Sequence, residues 1–539
     1  MGMTLTMSHS QPNQNGQLGQ EFRLGIDVGG TNTDAVILDA QDQVIASTKT
    51  PTTPDVTAGI VQALQDVLTT SRLPASALRY AMLGTTHCTN AVVTRRELNT
   101  LGIIRLGAPA TRAVEPLLTW PADLRQIVGA QHAILHGGHE YNGEPLSALN
   151  EQEILQTARQ MKGQVQAVAV TGVFSPVNQE HELRAHEILQ EELGEEIPVS
   201  LSSEIGSVNL LERENATVLN APLVRVAHAA ISGYQQAIRQ LNIPATLFLG
   251  QNDGSLMSLD YALQYPIFTI ASGPANSIRG AVALSQLGDE QDAIVVDIGG
   301  TTTDIGLLHK GFPRESQLAV EIGGVITNFR MPDLISVGLG GGSRVHLADE
   351  LRVGPDSVGY RLTQEAKVFG GQQLTATDLA VATGRIQLGD ASKVRAVPKT
   401  TIELGLAYIQ HSLEDYVDRM KLSADSVPVV AVGGGSILFP DELRGVSQII
   451  RPEHAGVANA IGVAIAQVSG TIDRVFSLDK MSRTEAVDEA TASARERARA
   501  AGADPDTVEI LDLEEIPLAY LPGNAVRIKV KAVGNLKTV

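Results

Sequence analysis

One cysteine, one tryptophan and an aromatic share of 4% are all that this chain of 539 residues carries of those types. A single thiol excludes an internal disulfide framework and fits a reducing, cytoplasmic setting. The shortage of aromatics argues against recognition by ring stacking. No apolar run reaches the roughly 18–20 residues that cross a bilayer. Positive charge is also short: 41 Lys and Arg stand against 60 Asp and Glu, a net charge of −19. That balance argues against nucleic acid and against anionic membrane as main partners. It leaves room for a polyphosphate ligand, because backbone N–H groups bind phosphate without basic side chains. Residues 1–20 have neither a basic start nor an apolar stretch, so a disordered tail is expected there rather than a signal peptide. With 43% apolar residues, a chain of this length should build at least two domains.

What the chain does have is a repeated turn. Asp297-Ile298-Gly299-Gly300-Thr301-Thr302-Thr303-Asp304 follows the apolar run Ala293-Ile294-Val295-Val296 and precedes Ile305, Leu307 and Leu308. The pattern is an apolar strand, a tight glycine turn rich in hydroxyls and a second apolar strand, with a carboxylate at each end of the turn. Asp27-Val28-Gly29-Gly30-Thr31-Asn32-Thr33-Asp34 has the same pattern 270 residues earlier, with six of eight positions identical. Glycines let a backbone approach phosphate oxygens, successive N–H groups form an anion-binding concavity, and threonine hydroxyls add donors. Either copy alone also fits a β-hairpin with an Asx-type turn. Two copies in matching contexts predict two related half-domains, each offering a phosphate loop to one ligand. Asp27 and Asp297 would then end buried strands that point at the same place. A carboxylate facing a triphosphate requires a divalent cation between them, and Mg2+ would be held through water. One of the two carboxylates could also orient or deprotonate a nucleophile.

Strands are predicted at 23–28, 35–39 and 44–48. A helix starting at Thr53-Pro54-Asp55 follows, with Val56, Ile60, Leu64 and Leu68 along one face. A strand at 80–83 leads into the polar turn Gly84-Thr85-Thr86-His87-Cys88-Thr89-Asn90 and a helix at 91–97. That turn offers Thr85, Thr86 and Asn90 to a cleft, or it simply caps the helix. Strands at 101–106, 167–173 and 198–202 alternate with helices at 151–161, 178–193 and 210–240, which predicts an α/β architecture. The 178–193 helix is strongly charged and is expected on the surface, with the Glu-rich run 191–196 as a solvated end. A buried strand at 429–432 ends in Gly433, Gly434, Gly435 and Ser436, bare backbone against which a flat ring or a ribose could lie. Residues 456–470 read as a small-residue helix at a close contact between lobes. A helix at 484–501 and strands within 508–533, turning at Pro522-Gly523-Asn524, read as a small appended module. Cys88 reads as buried packing. His132, His136 and His139 have a spacing that could suit a metal, but they sit in what reads as a turn and hairpin.

Taken together, these motifs resemble the actin/sugar kinase/heat-shock ATPase superfamily, and more narrowly the A-type chains of the hydantoinase/oxoprolinase family. The resemblance rests on residues 24–34 and 83–91, on Ser272-Gly273-Pro274-Ala275, on 297–304, on Gly340-Gly341-Gly342-Ser343 and on Val353-Gly354-Pro355. It covers roughly residues 22–480. It implies two actin-like (ribonuclease H-like) lobes around a nucleotide cleft, plus a small α+β C-terminal module. The implied division is a tail at 1–21, an N-terminal lobe at 22–205, a core with the second lobe at 206–480, and the module at 481–539. It also implies ATP and Mg2+ as cofactors. Gly29, Gly30, Thr31, Asn32, Thr33, Gly299, Gly300, Thr301, Thr302 and Thr303 would lie around the phosphates, and residues 433–436 around the nucleoside. The implied activity is ATP-dependent ring opening of a cyclic amide through phosphorylation of its carbonyl oxygen, within an oligomeric assembly that includes a second enzyme subunit. A ketone carboxylase, a small-molecule kinase and a nucleotide-gated interaction ATPase are the alternatives on the same scaffold. The chain departs from the family in its shorter C-terminal part and at Asp356-Ser357-Val358-Gly359-Tyr360, as in a short branch whose substrates need not be hydantoins.

Overall fold

Each glycine-threonine turn closes a hairpin at the centre of its own sheet. The computed structural model describes residues 21–537 apart from 30–31, 52–55, 286, 288–290, 310–311, 317–318, 330, 348–349, 480 and 519–523. In the first sheet β1 (Phe22–Val28) pairs antiparallel with β2 (Asn32–Leu38), and β2 with β3 (Val44–Pro51). β4 (Leu78–Thr85) runs parallel to β1 on its other side. The chain then leaves to build a separate parallel sheet from β5 (Leu101–Ala108), β6 (Gln131–His136), β7 (Ala167–Gly172) and β8 (Val199–Leu201). The helix Leu210–Gln240 leads back to β9 (Thr246–Gly250), parallel to β4, and to β10 (Leu256–Ser258).

The second sheet repeats the first. β11 (Ala293–Ile298) and β12 (Thr303–His309) make the hairpin, and β13 (Phe312–Pro313) adds to β12. Strands Val427–Val432 and Val446–Ile450 follow on the far side of β11, each parallel to its neighbour. In both sheets the first strand lies between its antiparallel hairpin partner and a parallel neighbour. This is the ribonuclease H-like order, so the molecule has two actin-like lobes.

Both faces of β1 and β2 are covered, which is why Leu24, Ile26, Val36 and Ile37 are all buried. Helix Val56–Ser71 covers one face with Ile60, Leu64 and Val67. Val67 rather than Leu68 completes that stripe, and the expected cap at Thr53-Pro54-Asp55 lies outside the described residues. Helix Ala458–Ala464 covers the other face with Ala460, Ile461 and Ala464. It also packs on helix Ser272–Ser285, which in turn lies on the second sheet, so this helix pair joins the lobes. The approach is close enough to demand glycine: a Cβ on Gly462 would lie 1.8 Å from the carbonyl oxygen of Asn276.

Several expectations change. The small-residue helix stops at Ala464 instead of 470, and Val468–Ser477 is a strand of the first sheet. Val468, Ile472 and Val475 bring β-branched bulk that suits a sheet better than a tight helix contact. Residues 481–539 hold the expected helix (Arg483–Ala500) and strands (Glu509–Pro517 and Ala525–Gly534), but these strands extend the first sheet beyond Val468–Ser477. β9 and β10 also belong to that sheet, so its strands run across the expected boundary at 205/206. The charged helix Glu180–Leu193 is not wholly a surface element. Glu182 is buried and accepts hydrogen bonds from Gly172 N (2.6 Å), Ser202 Oγ (2.6 Å) and Ser203 N (2.9 Å). His132 pairs with Glu115 and His136 with Glu153, and no group of three potential metal ligands occurs among the described residues. Nor is any helix among them long and apolar enough to cross a membrane.

The helix contact yields a direct test. Gly462→Ala should destabilise the protein by about 1–3 kcal/mol, the usual cost of overpacking, read as a lowered midpoint in thermal or urea unfolding. An unchanged midpoint would show that the helices have room to spare.

Candidate active site

The two hairpins place four carboxylates in matching register, Asp27 opposite Asp34 and Asp297 opposite Asp304. Asp27 is 5% exposed, and burial, followed by the neighbouring Asp34, pushes its carboxyl up to about 7. Burial also raises Asp34, where Lys49 Nζ at 2.7 Å from Oδ2 opposes the rise. Asp297 is raised by burial, against the Ser277 hydroxyl and Lys49, which favour its ionised form. Asp304 is raised by burial to about 6. The Asp297 charge contributes to the rise at Asp27 and at Asp34, and Lys49 acts on both Asp27 and Asp297. Asp27, Asp34 and Asp297 thus share one electrostatic field across the two lobes.

The turns close in the same way. Gly29 N donates to Asn32 O at 3.0 Å, and Gly299 N to Thr302 O at 2.8 Å. Gly30 and Thr31 lie outside the described residues. Asn32, Gly299 and Gly300 are half-buried, and Thr301 and Thr302 are exposed. Thr33 and Thr303 are buried, and Thr303 Oγ1 donates to Leu339 O at 2.5 Å. Its hydroxyl is thus engaged by the loop 338–343 behind the turn. That loop is itself hydrogen-bonded to the turn, from Gly341 N to Gly299 O (3.0 Å) and Gly342 N to Gly300 O (2.7 Å). The third glycine loop lies alongside. Gly433 has φ +85°, and a side chain there would collide with Asp297 Oδ1 and Ile298 O. Gly435 N donates to Ile298 O at 2.7 Å, Gly434 has open space where a Cβ would stand, and Ser436 begins a short helical turn.

Gly84 and Thr85 end β4 directly beside Asp27 and Val28. The Thr85 hydroxyl is paired with His87 Nδ1. Thr86 Oγ1 donates to Val28 O at 3.3 Å and accepts from Asn90 Nδ2 at 3.3 Å. The helix begins at His87 and ends at Thr94, earlier than expected, because Arg95 takes a left-handed conformation at its C-cap. Cys88 is buried, and burial pushes its thiol up to about 11, as suits inert packing.

Four contributors were absent from the sequence expectation: Lys49, Asn276, Ser277 and Asn459. Asn459 Nδ2 donates to Asp27 Oδ2 at 3.3 Å. Asn276 is fully buried, yet among the described residues neither its Oδ1 nor its Nδ2 has a partner, and Asp27 Oδ1 is equally alone. A Cβ on Gly84 would stand 2.6 Å from Asp27 Oδ1 and 2.9 Å from Asn276 Nδ2, so the two groups converge on one spot. Asn276 and Ser277 follow directly on the motif Ser272-Gly273-Pro274-Ala275, the signal that could have pointed to them.

Buried, unpartnered polar atoms are rare and costly, and these two groups meet beside Gly84 at the end of β4. A nucleotide with its divalent cation fits this donor and acceptor set. Asp27 and Asp297 would hold the cation, whose charge would bring a carboxylate raised to about 7 back to its ionised form.

The ligand-free protein should report this state through pH. The Asp27 carboxyl is higher folded than unfolded, so the protonated form favours folding, and that stability is lost as pH rises from about 4 to about 7. Asp27→Asn should remove a dependence of up to ~1.4 kcal/mol per pH unit in this window, measured by urea unfolding across pH. Parallel curves for both proteins would show that Asp27 does not titrate there.

Comparisons with known proteins give the family and the fold. Two family models match, the hydantoinase/oxoprolinase N-terminal region over residues 23–193 and the hydantoinase/oxoprolinase model over residues 213–393. The alpha subunit of the caprolactamase of Pseudomonas jessenii is 30% identical over 399 residues, covering 69% of this chain and 55% of that protein. The beta subunit of the acetone carboxylase of Xanthobacter autotrophicus is 23% identical, covering 87% of this chain and 73% of that one. The chain thus spans about half of some relatives and about three quarters of others. The crystal structure of ATP-dependent caprolactamase from Pseudomonas jessenii aligns with a TM-score of 0.75 at 20% identity, covering 96% of this chain and 88% of that one. Nucleotide-free acetone carboxylase aligns over the same shares with a TM-score of 0.69 at 19% identity. With two family models covering most of residues 23–393 and the paired turns in place, the chain belongs to the hydantoinase/oxoprolinase family.

Proposed function

We propose that this chain is an ATP-dependent enzyme subunit that phosphorylates the oxygen of an unreactive carbonyl, and that its substrate is a cyclic amide of the hydantoin, oxoproline or lactam type. The observation that carries the reading is the pair of strand-end carboxylates, Asp27 and Asp297, set in one field with Asp27 Oδ1 and the Asn276 amide buried and unpartnered beside them. An amide carbonyl is a poor electrophile. Transfer of the γ-phosphoryl group to its oxygen makes that oxygen a leaving group. Water then attacks the carbon, and the C–N bond breaks as the ring nitrogen takes up a proton, which leaves an acyl phosphate; a second water hydrolyses this to the carboxylate and free phosphate.

Backbone N–H groups of the two glycine turns, with the exposed Thr301 and Thr302, would hold the phosphates. Residues 433–436 would take the nucleoside. Mg2+, when bound, would offset phosphate charge during transfer. Asp27 and Asp297 would anchor it through water, and either could orient the nucleophile. Thr86 and Asn90, hydrogen-bonded to each other and to β1, would position the carbonyl. A second subunit is part of this reading, since several relatives are themselves named as subunits. A ketone carboxylase using the same first step is the second reading, favoured by the acetone and acetophenone carboxylase relatives.

The test is ATP turnover in the presence of lactams, hydantoin and oxoproline, and of ketones with bicarbonate, with and without the second subunit. Ring-opened product formed in step with ADP is expected. Bicarbonate dependence would move the assignment to a carboxylase, and a stable phosphorylated product to a kinase. Asp297→Asn should lower turnover by roughly 100-fold or more, the scale seen when charge stabilisation is removed, while circular dichroism stays unchanged. Full activity in that variant would overturn the site.

A further inference from the structure

Apart from the glycine turns, a cavity of about 80 Å³ opens where the segment after β8, the loop after β9, strand Val468–Ser477 and helix Arg483–Ala500 meet. None of residues 27–34, 297–304 or 433–436 lines it. A water needs about 10–15 Å³ of such volume, so there is room for roughly six non-hydrogen atoms. One wall is aromatic, with Phe268 and Tyr261 nearly parallel at 6.4 Å between ring centroids and Phe329 tilted against Phe268, also at 6.4 Å.

The charges around the cavity do not balance evenly. Two acids of its wall are matched by cations, and the third, Glu204, is held by a phenol hydroxyl. Asp473 accepts from Arg527 at 2.6 and 2.7 Å, Asp253 pairs with Lys531 at 2.8 Å, and Glu204 accepts from the Tyr265 hydroxyl at 2.6 Å. The arginines are less well matched. Arg497 donates to the carbonyls of Thr471 (3.0 Å), Ser203 (3.4 Å) and Glu204 (3.4 Å), with no carboxylate partner among the described residues. Among the described residues Arg474 reaches an acid only at Glu489, 3.9 Å away. The two guanidiniums repel one another: burial first, then Arg497, holds Arg474 below its usual value. Ser203, 7% exposed, has a hydroxyl with no partner among the described residues. Beside its rings the cavity therefore offers two guanidiniums, Arg497 with no carboxylate partner among the described residues and Arg474 with only a long contact to Glu489.

We propose that this cavity is a binding site for a small aliphatic carboxylate, its charge held by Arg474 and Arg497 and its chain lying against Tyr261 and Phe329. Guanidinium and carboxylate match in both charge and planar geometry, and a carboxylate between the two arginines would relieve their repulsion. The site does not depend on which carbonyl the enzyme activates.

Pentanoate, pentanamide and pentylamine have nearly the same size and differ in charge. Calorimetric titration of each into the full chain, with and without Mg-ATP, tests the site. Pentanoate should bind and the other two should not. Arg497→Gln and Arg474→Gln should each weaken pentanoate binding by about tenfold or more, with Mg-ATP binding unchanged. If Arg497→Gln fails to fold, because its carbonyl bonds tie two segments together, Arg474→Gln carries the test alone. Equal binding of pentanamide, preference for pentylamine, no binding of pentanoate, or pentanoate binding unaffected by Arg474→Gln would each overturn the proposal.

Discussion

Four carboxylates at the ends of two sheets, Asp27 and Asp34 buried and Asp297 and Asp304 half-buried, set the terms for the rest of this molecule. Removing an ionised carboxylate from water is expensive, and the protein answers only part of that cost itself. Lys49 serves Asp34, Ser277 favours the ionised form of Asp297, and Asn459 reaches one oxygen of Asp27. The remainder shows as raised carboxyl groups at Asp27 and Asp304 and as the unpartnered oxygen of Asp27. In the proposed reading a nucleotide-bound cation supplies the missing charge, so the same desolvation that raises these carboxyls would favour occupation of the cleft.

The interface between the lobes is built to the same end. Helix Ser272–Ser285 presents consecutive residues to the two halves, Asn276 toward the carboxylate of the first and Ser277 to that of the second. Its close crossing with helix Ala458–Ala464 fixes where those side chains fall, because the backbones meet with no room for a methyl group at Gly462. Packing geometry and electrostatics are thus coupled through one short stretch of helix. A rotation of that helix would disturb both carboxylates together.

The hairpins were legible in the sequence because they are local: eight residues, flanked by apolar runs and repeated once, specify strand, turn and carboxylate positions without reference to distant segments. The lobe topology followed from that repeat together with the family resemblance. What was not legible depends on tertiary contact. Lys49 is an unremarkable lysine until the β2–β3 pairing sets it against Asp34. Thr303 looks like its neighbours, but its side chain is turned inward to Leu339 while Thr301 and Thr302 face solvent. Glu182 lies in a helix that charge alone assigns to the surface, and only the return of residues 202 and 203 beside it supplies the donors that let it be buried. The small-residue run from 456 misled because one composition serves two elements, a helix that must pack tightly and a strand whose Gly470 leaves space for helix Arg483–Ala500.

The first sheet is completed by strands from opposite ends of the chain, β1 near the start and Val468–Ser477, Glu509–Pro517 and Ala525–Gly534 near the finish. During synthesis the second lobe, whose sheet lies within residues 293–450, leaves the ribosome whole while the first still lacks these three strands. Until they arrive, β10 presents an unpaired edge, the kind of surface that invites wrong partners. The nascent chain would therefore mature out of sequence order, with the lobe that begins first closing last.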